Sequence, residues 1–356
     1  MSAKRKLKVI IAIVSLLIII VGTMIVVAMN SKKDQKVKDD TIKIGLSIDS
    51  LVIERWQRDR NIFVAKAKEL GAEVLVLNAN EDNDTQIKQM KYLIEQDVDV
   101  LVVIPYDKNG ITEVTKAAKK KGIKVIAYDR LIFNANVDYY VSFDNEKVGR
   151  YMAESMLEAV PKGNYVIING SSKDNNSKMF NKGTIDALKP FVEKGDINIL
   201  KEVWAEDWRE EVAYSCIEEI LSKGEHIDGI IAANDRLAEG AIEALAENRI
   251  AGDVAVVGHD ADLSACQRIV EGTQLMTVYK PIKILAQAAA EIAIKIAKGE
   301  IIENETLIDD GTYYVKYIKY DVIPVTKDNI EDTIIRDGFH IKEDIYRNIP
   351  ESEWKD

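Results

Sequence analysis

The sequence predicts an α/β protein: two doubly wound parallel-sheet lobes joined by a hinge and preceded by one transmembrane helix. Three observations lead there. Short runs rich in β-branched residues alternate with amphipathic stretches from residue 41 onward. Those runs fall into two successive series, which implies two sheets, each covered on both faces by helices. Ahead of both stands an uncharged apolar run at residues 9–29.

In chain order, Lys4, Arg5, Lys6 and Lys8 precede the run 9–29. Its length matches the ~20 apolar residues that a helix needs to cross a bilayer. A cleaved signal peptide usually has an apolar region of only ~7–15 residues, so a retained spanning helix is expected. Val26-Val27-Ala28 is the competing cleavage site. No cysteine lies here, which excludes a lipid anchor. Lys32, Lys33, Lys36 and Lys38 flank the other side, so the charge rule does not by itself orient the helix. The folded part is placed outside the cell membrane. Residues 1–30 are read as cytoplasmic tip and anchor, and 31–40, polar and without apolar periodicity, as a solvated linker.

The first series of strands is expected at 42–48, 74–77, 100–104, 124–127 and 139–142, with helices at 53–70, 85–96 and 109–121 between them. The second is expected at 165–168, 197–203, 229–232, 254–257 and 275–278. Gly71, Gly122 and Gly224 stand where helix C-caps belong. The amino-terminal lobe is assigned 41–146 plus 281–310, and the carboxy-terminal lobe 147–280 plus 311–356.

Composition narrows the function. A net charge of −11 over 356 residues opposes a nucleic-acid surface, which needs clustered Lys and Arg. Two cysteines, Cys216 and Cys266, make no disulfide framework and read as small buried side chains, with a single bridge between them as the alternative. The histidines, His226, His259 and His340, show no metal-ligand spacing. No phosphate-binding glycine motif is present. Neither a cofactor nor a metal is called for.

Polar residues crowd at the carboxyl ends of the expected strands, where open α/β sheets bind ligands. They are Asp49, Asn78, Asn80, Tyr106-Asp107, Asp129-Arg130 and Asp144-Asn145, then Asn169, Asp207-Trp208, Asn234-Asp235, His259-Asp260-Ala261-Asp262 and Lys280. Helix capping accounts for Asp84, Asp107 and Asp253. It does not account for Arg130, Trp208 or Lys280. A sugar ring needs aromatic walls and charged forks around its hydroxyls. Trp56 and Trp208 are the candidate walls, although Trp56 also fits a helix face packed on a sheet. Trp204 reads as core, and Trp354 in the tail is uninformative.

Several stretches resemble those of bacterial D-xylose-binding proteins, which are ribose/galactose-type periplasmic binding proteins. They include Glu54-Arg55-Trp56-Gln57, Ala127-Tyr128-Asp129-Arg130, Ser142-Phe143-Asp144-Asn145-Glu146-Lys147-Val148-Gly149, Lys173-Asp174-Asn175-Asn176, Ala233-Asn234-Asp235, Asp260-Ala261-Asp262 and Met276-Thr277-Val278-Tyr279-Lys280-Pro281. The likeness runs collinearly from about residue 41 to 340. It implies the type I periplasmic-binding-protein fold and sugar contacts from Arg55, Trp56, Asp129, Arg130, Asn176, Trp208, Asn234, Asp260 and Lys280. It also implies D-xylose or a similar monosaccharide as ligand. With the anchor retained, the expected role is a sugar sensor reporting to a membrane partner such as a histidine kinase. The alternative is the sugar-binding component of an ABC importer, working with its permease. An enzyme using Asp260 and Asp262 as paired carboxylates is the least favoured, since no nucleophile–base set accompanies them.

Overall fold

The computed structural model describes residues 16–24, 41–52, 54–303 and 306–354. Residues 16–24 form a helix, α1. The rest of the apolar run 9–29 and the linker 31–40 lie outside the described residues. Among the described residues, no helix is long and apolar enough to cross a membrane.

From residue 42 the chain is one compact unit with two sheets. The first is built from β1 (Lys43–Ile48), β2 (Glu73–Asn78), β3 (Val100–Val103), β4 (Lys124–Tyr128) and β5 (Tyr139–Phe143). Helices α2 (Glu54–Glu69), α3 (Asn83–Glu95) and α4 (Thr112–Lys120) connect them. All four residues of β3 are buried, as a strand covered on both faces by crossover helices must be. Gly71 and Gly122 end α2 and α4 at φ 83° and 84°, a region that glycine enters without steric cost.

The chain then crosses into the second lobe at Asp144, the N-cap of α5 (Asn145–Ala159). There it lays down β6 (Gly163–Asn169), α6 (Asn175–Lys194), β7 (Ile197–Trp204), α7 (Glu210–Ser222) and β8 (Gly229–Ala232). After these come α8 (Asp235–Glu247), β9 (Ala255–His259), α9 (Leu263–Glu271) and β10 (Met276–Tyr279). It returns through Lys280-Pro281 into α10 (Ile282–Ala297), which packs on α2 and the first sheet. Leading from there are β11 (Leu307–Asp309), β12 (Tyr314–Tyr320) and β13 (Ile323–Val325), and later the short α11 (Lys342–Ile345). The sheet orders are β11-β12-β5-β4-β3-β1-β2 and β13-β10-β9-β8-β6-β7.

Three readings need correcting. Residues 311–356 do not all join the second lobe: β12 pairs parallel with β5, Lys316 opposite Tyr139, and the chain leaves the first sheet only after Tyr320. Trp204 is not core. It ends β7, an edge strand, and is 37% exposed. None of Asp84, Asp107 and Asp253 is a helix N-cap: α3 is capped by Asp82, which accepts from the Thr85 amide at 2.7 Å, the N-cap position of α4 is Ile111, and Asp253 precedes a strand. Cys216 and Cys266 are both buried and form no disulfide.

Candidate functional site

The strand-end loops of both sheets converge on one cavity between the lobes. The first lobe provides Arg55 and Trp56 from the first turn of α2, and Asp129 and Arg130 from the loop after β4. The second provides Asp174 and Asn176 at the start of α6, Trp208 between β7 and α7, Asn234 before α8, and Asp260 after β9. Lys280 lines it from the crossover between lobes. Every residue named as a sugar contact from the sequence therefore lies on this cavity. Asp174, Phe180 and His259 line it too and were not named. Phe180 was legible in principle: it stands one helical turn beyond Asn176 and so shares its face.

Cations and carboxylates interleave around the wall. Arg55 donates to Asp129 and, through Nε, to Asp59 at 3.3 Å, and its Nη1 lies 3.6 Å from Asp260 of the other lobe. Arg130 bonds Asp49 Oδ2 at 2.5 Å and pairs through Nε with Asp174 Oδ2 at 2.7 Å. Lys280, only 2% exposed, lies 3.9 Å from Asp260. Among the lining residues Arg55, Arg130 and Lys280 face Asp129, Asp174 and Asp260, so the formal charges of the wall cancel. A balanced wall suits a neutral ligand with many hydroxyls rather than an anion.

Burial and pairing set the protonation states. Burial alone would raise Asp129, but Arg55, Lys280 and Arg130 hold its carboxyl below the usual range. Asp260 behaves likewise: burial raises it, and His259, Lys280 and Arg55 more than offset that. Burial lowers Lys280 despite Asp260, and burial lowers His259. Asp49 goes the other way, pushed up to about 6 because burial outweighs the attraction of Arg130. Asp129 and Asp260 thus stay ionised, able to accept from hydroxyls.

The aromatic groups are arranged as walls. Trp56 lies beneath the guanidinium groups of Arg55 and Arg130, at 4.5 and 5.4 Å from the ring centre. It is 3% exposed, so it serves the core and the cavity together. Trp208 meets Phe180 edge-on at 6.5 Å, and Lys280 Nζ stands 4.7 Å from the Phe180 ring centre. Gly170 makes room for Trp208: a Cβ there would come within 2.2 Å of the indole.

The backbone is bent to aim these groups. Asp129, Trp208 and Asp260 all have positive φ, at 60°, 58° and 100°, which non-glycine residues rarely adopt. Neighbouring bonds hold them there. The Asp129 amide donates to Val141 at 2.8 Å and the Asp260 amide to Val278 at 3.0 Å. The Asp129 carbonyl accepts from Tyr140, Ser142 and Asn176 at 2.8, 2.7 and 3.1 Å. Asn176 Nδ2 also donates to Asp129 Oδ1 at 2.9 Å, while its Oδ1 accepts from Asn145 at 3.0 Å. Asn234 Oδ1 caps α8 by accepting from the Leu237 amide at 2.9 Å, which leaves its amide nitrogen to offer the cavity.

Trp56 Nε1, Trp208 Nε1, His259 Nδ1 and Asp260 Oδ1, all on residues that line the cavity, are buried without a hydrogen-bond partner in the protein. Asp260 Oδ1 is within ion-pair distance of three cationic or imidazole groups yet makes no directed bond. Buried polar atoms are ordinarily satisfied, so such a group around one cavity marks a polar ligand site. Among the described residues, no cluster of His, Cys, Asp and Glu could hold a metal ion.

Residues 44–301 match the family model described as periplasmic binding protein domain. The chain is 48% identical over 306 residues to the D-xylose-binding periplasmic protein of Haemophilus influenzae, covering 86% of this chain and 92% of that one. To the D-xylose-binding periplasmic protein of Escherichia coli it is 47% identical over 300 residues, 84% and 91% of the two chains. Among solved structures, an ABC transporter solute-binding protein of Clostridium phytofermentans with bound β-D-glucose superposes with a TM-score of 0.79 at 28% identity. It covers 85% of this chain and 99% of that one. The expected single-pass location in the cell membrane is corrected by these results. The relatives are named as periplasmic proteins, and among the described residues no helix is long and apolar enough to cross a membrane.

Proposed function

The chain belongs to the periplasmic binding protein domain family, and on that premise we propose that it is the sugar-binding component of an ABC importer, with D-xylose as its sugar. The observation that carries the reading is the cavity, charge-balanced and walled by aromatic rings, with side chains from both lobes. The names of the relatives at 47–48% identity favour xylose, and the solute-binding protein of similar structure favours an importer permease as partner. The sensor reading depended on a retained anchor, and the histidine kinase partner with it; neither finds support in the relatives.

In this reading Asp129 and Asp260 accept from the hydroxyls, Arg55, Arg130 and Lys280 donate, Asn176 lines the site while holding Asp129 in place, and Trp56 and Trp208 cover the ring faces. Asn234 offers its amide. None of these groups forms a nucleophile–base pair, and the relatives are named as binding proteins. Titration of the purified chain with D-xylose, ribose, arabinose and glucose, followed by tryptophan fluorescence, tests the proposal. A saturable response with xylose bound most tightly is expected. No response to any sugar overturns the sugar site, and a clear preference for another sugar overturns the xylose assignment.

A further inference from the structure

The carboxy-terminal residues 326–354 fold back over the second lobe, where Ile330, Ile334, Ile345 and Tyr346 are buried with Ala261, Cys266 and Val270. From there they reach the first lobe. Arg58, on α2, donates to the Phe339 carbonyl, lies 4.6 Å from the centre of the Phe339 ring, and places Nη2 3.4 Å from His340 Nδ1. His340 is buried, with Nε2 2.9 Å from the carbonyl oxygen of Ala261. A carbonyl only accepts, so Nε2 carries the proton and Nδ1 is left as the acceptor toward the guanidinium. The imidazole therefore joins α2 to the loop that follows β9. These same two elements bring Arg55 and Asp260 together inside the cavity, and Arg58 stands one turn beyond Arg55. Arg58 and His340 do not themselves line the cavity.

We propose that residues 326–354 are a clasp that holds the lobes shut over bound sugar, with Arg58 and His340 as its positioning residues, and that the clasp sets the rate of sugar release. The proposal rests on the sugar-binding reading above. The clasp, as proposed, is made in the closed form and lost in the open one. Removing it weakens the closed state and leaves the open state unchanged, and the loss falls on dissociation rather than association. His340 adds a second effect. Its bond to Ala261 steadies a residue held at φ 57° directly after Asp260.

The test uses the full chain, D-xylose association and release by stopped-flow tryptophan fluorescence, and melting of the sugar-free protein. Arg58→Ala is expected to release xylose about tenfold faster, since a hydrogen bond to a charged group is worth roughly a decade in an equilibrium constant. Its association rate and sugar-free melting temperature should match the parent. His340→Ala should release faster as well. His340→Gln, whose amide can donate to Ala261 and accept from Arg58, should return toward the parent rate. Release at the parent rate in both alanine variants overturns the clasp. So does a fall in sugar-free melting temperature that accounts for the whole effect, because that is the mark of a merely structural role. A parent chain that binds none of the sugars overturns the underlying reading, and the clasp with it.

Discussion

At the scale of single residues, Trp204 and Trp208 make the sharpest contrast. They stand four positions apart in one stretch, Trp204-Ala205-Glu206-Asp207-Trp208, and look alike in sequence. Trp208 is 8% exposed and walls the cavity; Trp204 is 37% exposed on an edge strand. Trp208→Ala should weaken xylose binding by about 2 kcal/mol or more, the usual cost of truncating a buried aromatic anchor. Trp204→Ala should leave both binding and melting near the parent, because surface substitutions mostly fall within about 0.5 kcal/mol. Isothermal titration and thermal melts of the two variants decide it; equal binding by Trp208→Ala removes that residue from the site. Strand-end position and side-chain chemistry were enough to pick out Trp208. Nothing in the sequence says that β7 is an edge, so the exposure of Trp204 was not legible.

At the scale of elements, helices α5 and α6 pack with almost no space between their backbones. A Cβ on Gly149 would lie 1.8 Å from the Phe180 carbonyl oxygen, and one on Gly183 1.9 Å from that of Glu146. The contact matters to the site, because α6 carries Asn176 and Phe180 while α5 carries Asn145, which bonds Asn176. Gly149→Ala should lower stability by about 1–3 kcal/mol, the range for overpacking, and should loosen xylose binding as α6 is pushed away. Thermal melts and a xylose titration of the variant check both; a melt like the parent's would mean that the helices adjust without cost. The strands buried on both faces were readable as near-continuous apolar runs. The edge-side β12, Tyr-Val-Lys-Tyr-Ile-Lys-Tyr, alternates burial and charge, and its partner β5 is far back in the chain. That is why it was assigned to the wrong lobe.

At the scale of the molecule, the lobes are bonded directly across the cleft. Arg130 meets Asp174, Tyr106 donates to Asp207 at 2.6 Å, and Lys108 Nζ donates to the Ser172 carbonyl at 2.5 Å. The chain passes between the lobes after β5, after β10 and after β12, so a hinge motion needs backbone rotation at only a few residues. A ligand that touches both lobes binds the closed form better and shifts the population toward it. Small-angle scattering should therefore show a smaller radius of gyration with saturating xylose than without. The same radius in both conditions would contradict a closing mechanism.

The sequence alone determined the strand–helix alternation, the two-sheet organisation and the edge at which ligand residues gather. These follow from local pattern: parallel strands covered by helices must be apolar, and strand-end loops are where polar side chains escape burial. Tertiary structure alone decided which strands are edges, that β12 returns to the first sheet, and how the buried charges pair. Arg55 meets Asp129 across 74 positions and Arg58 meets His340 across 282. Partnerships of that range leave no mark in the residues beside them, because periodicity reports how deeply a side chain is buried and not which distant group it is buried against.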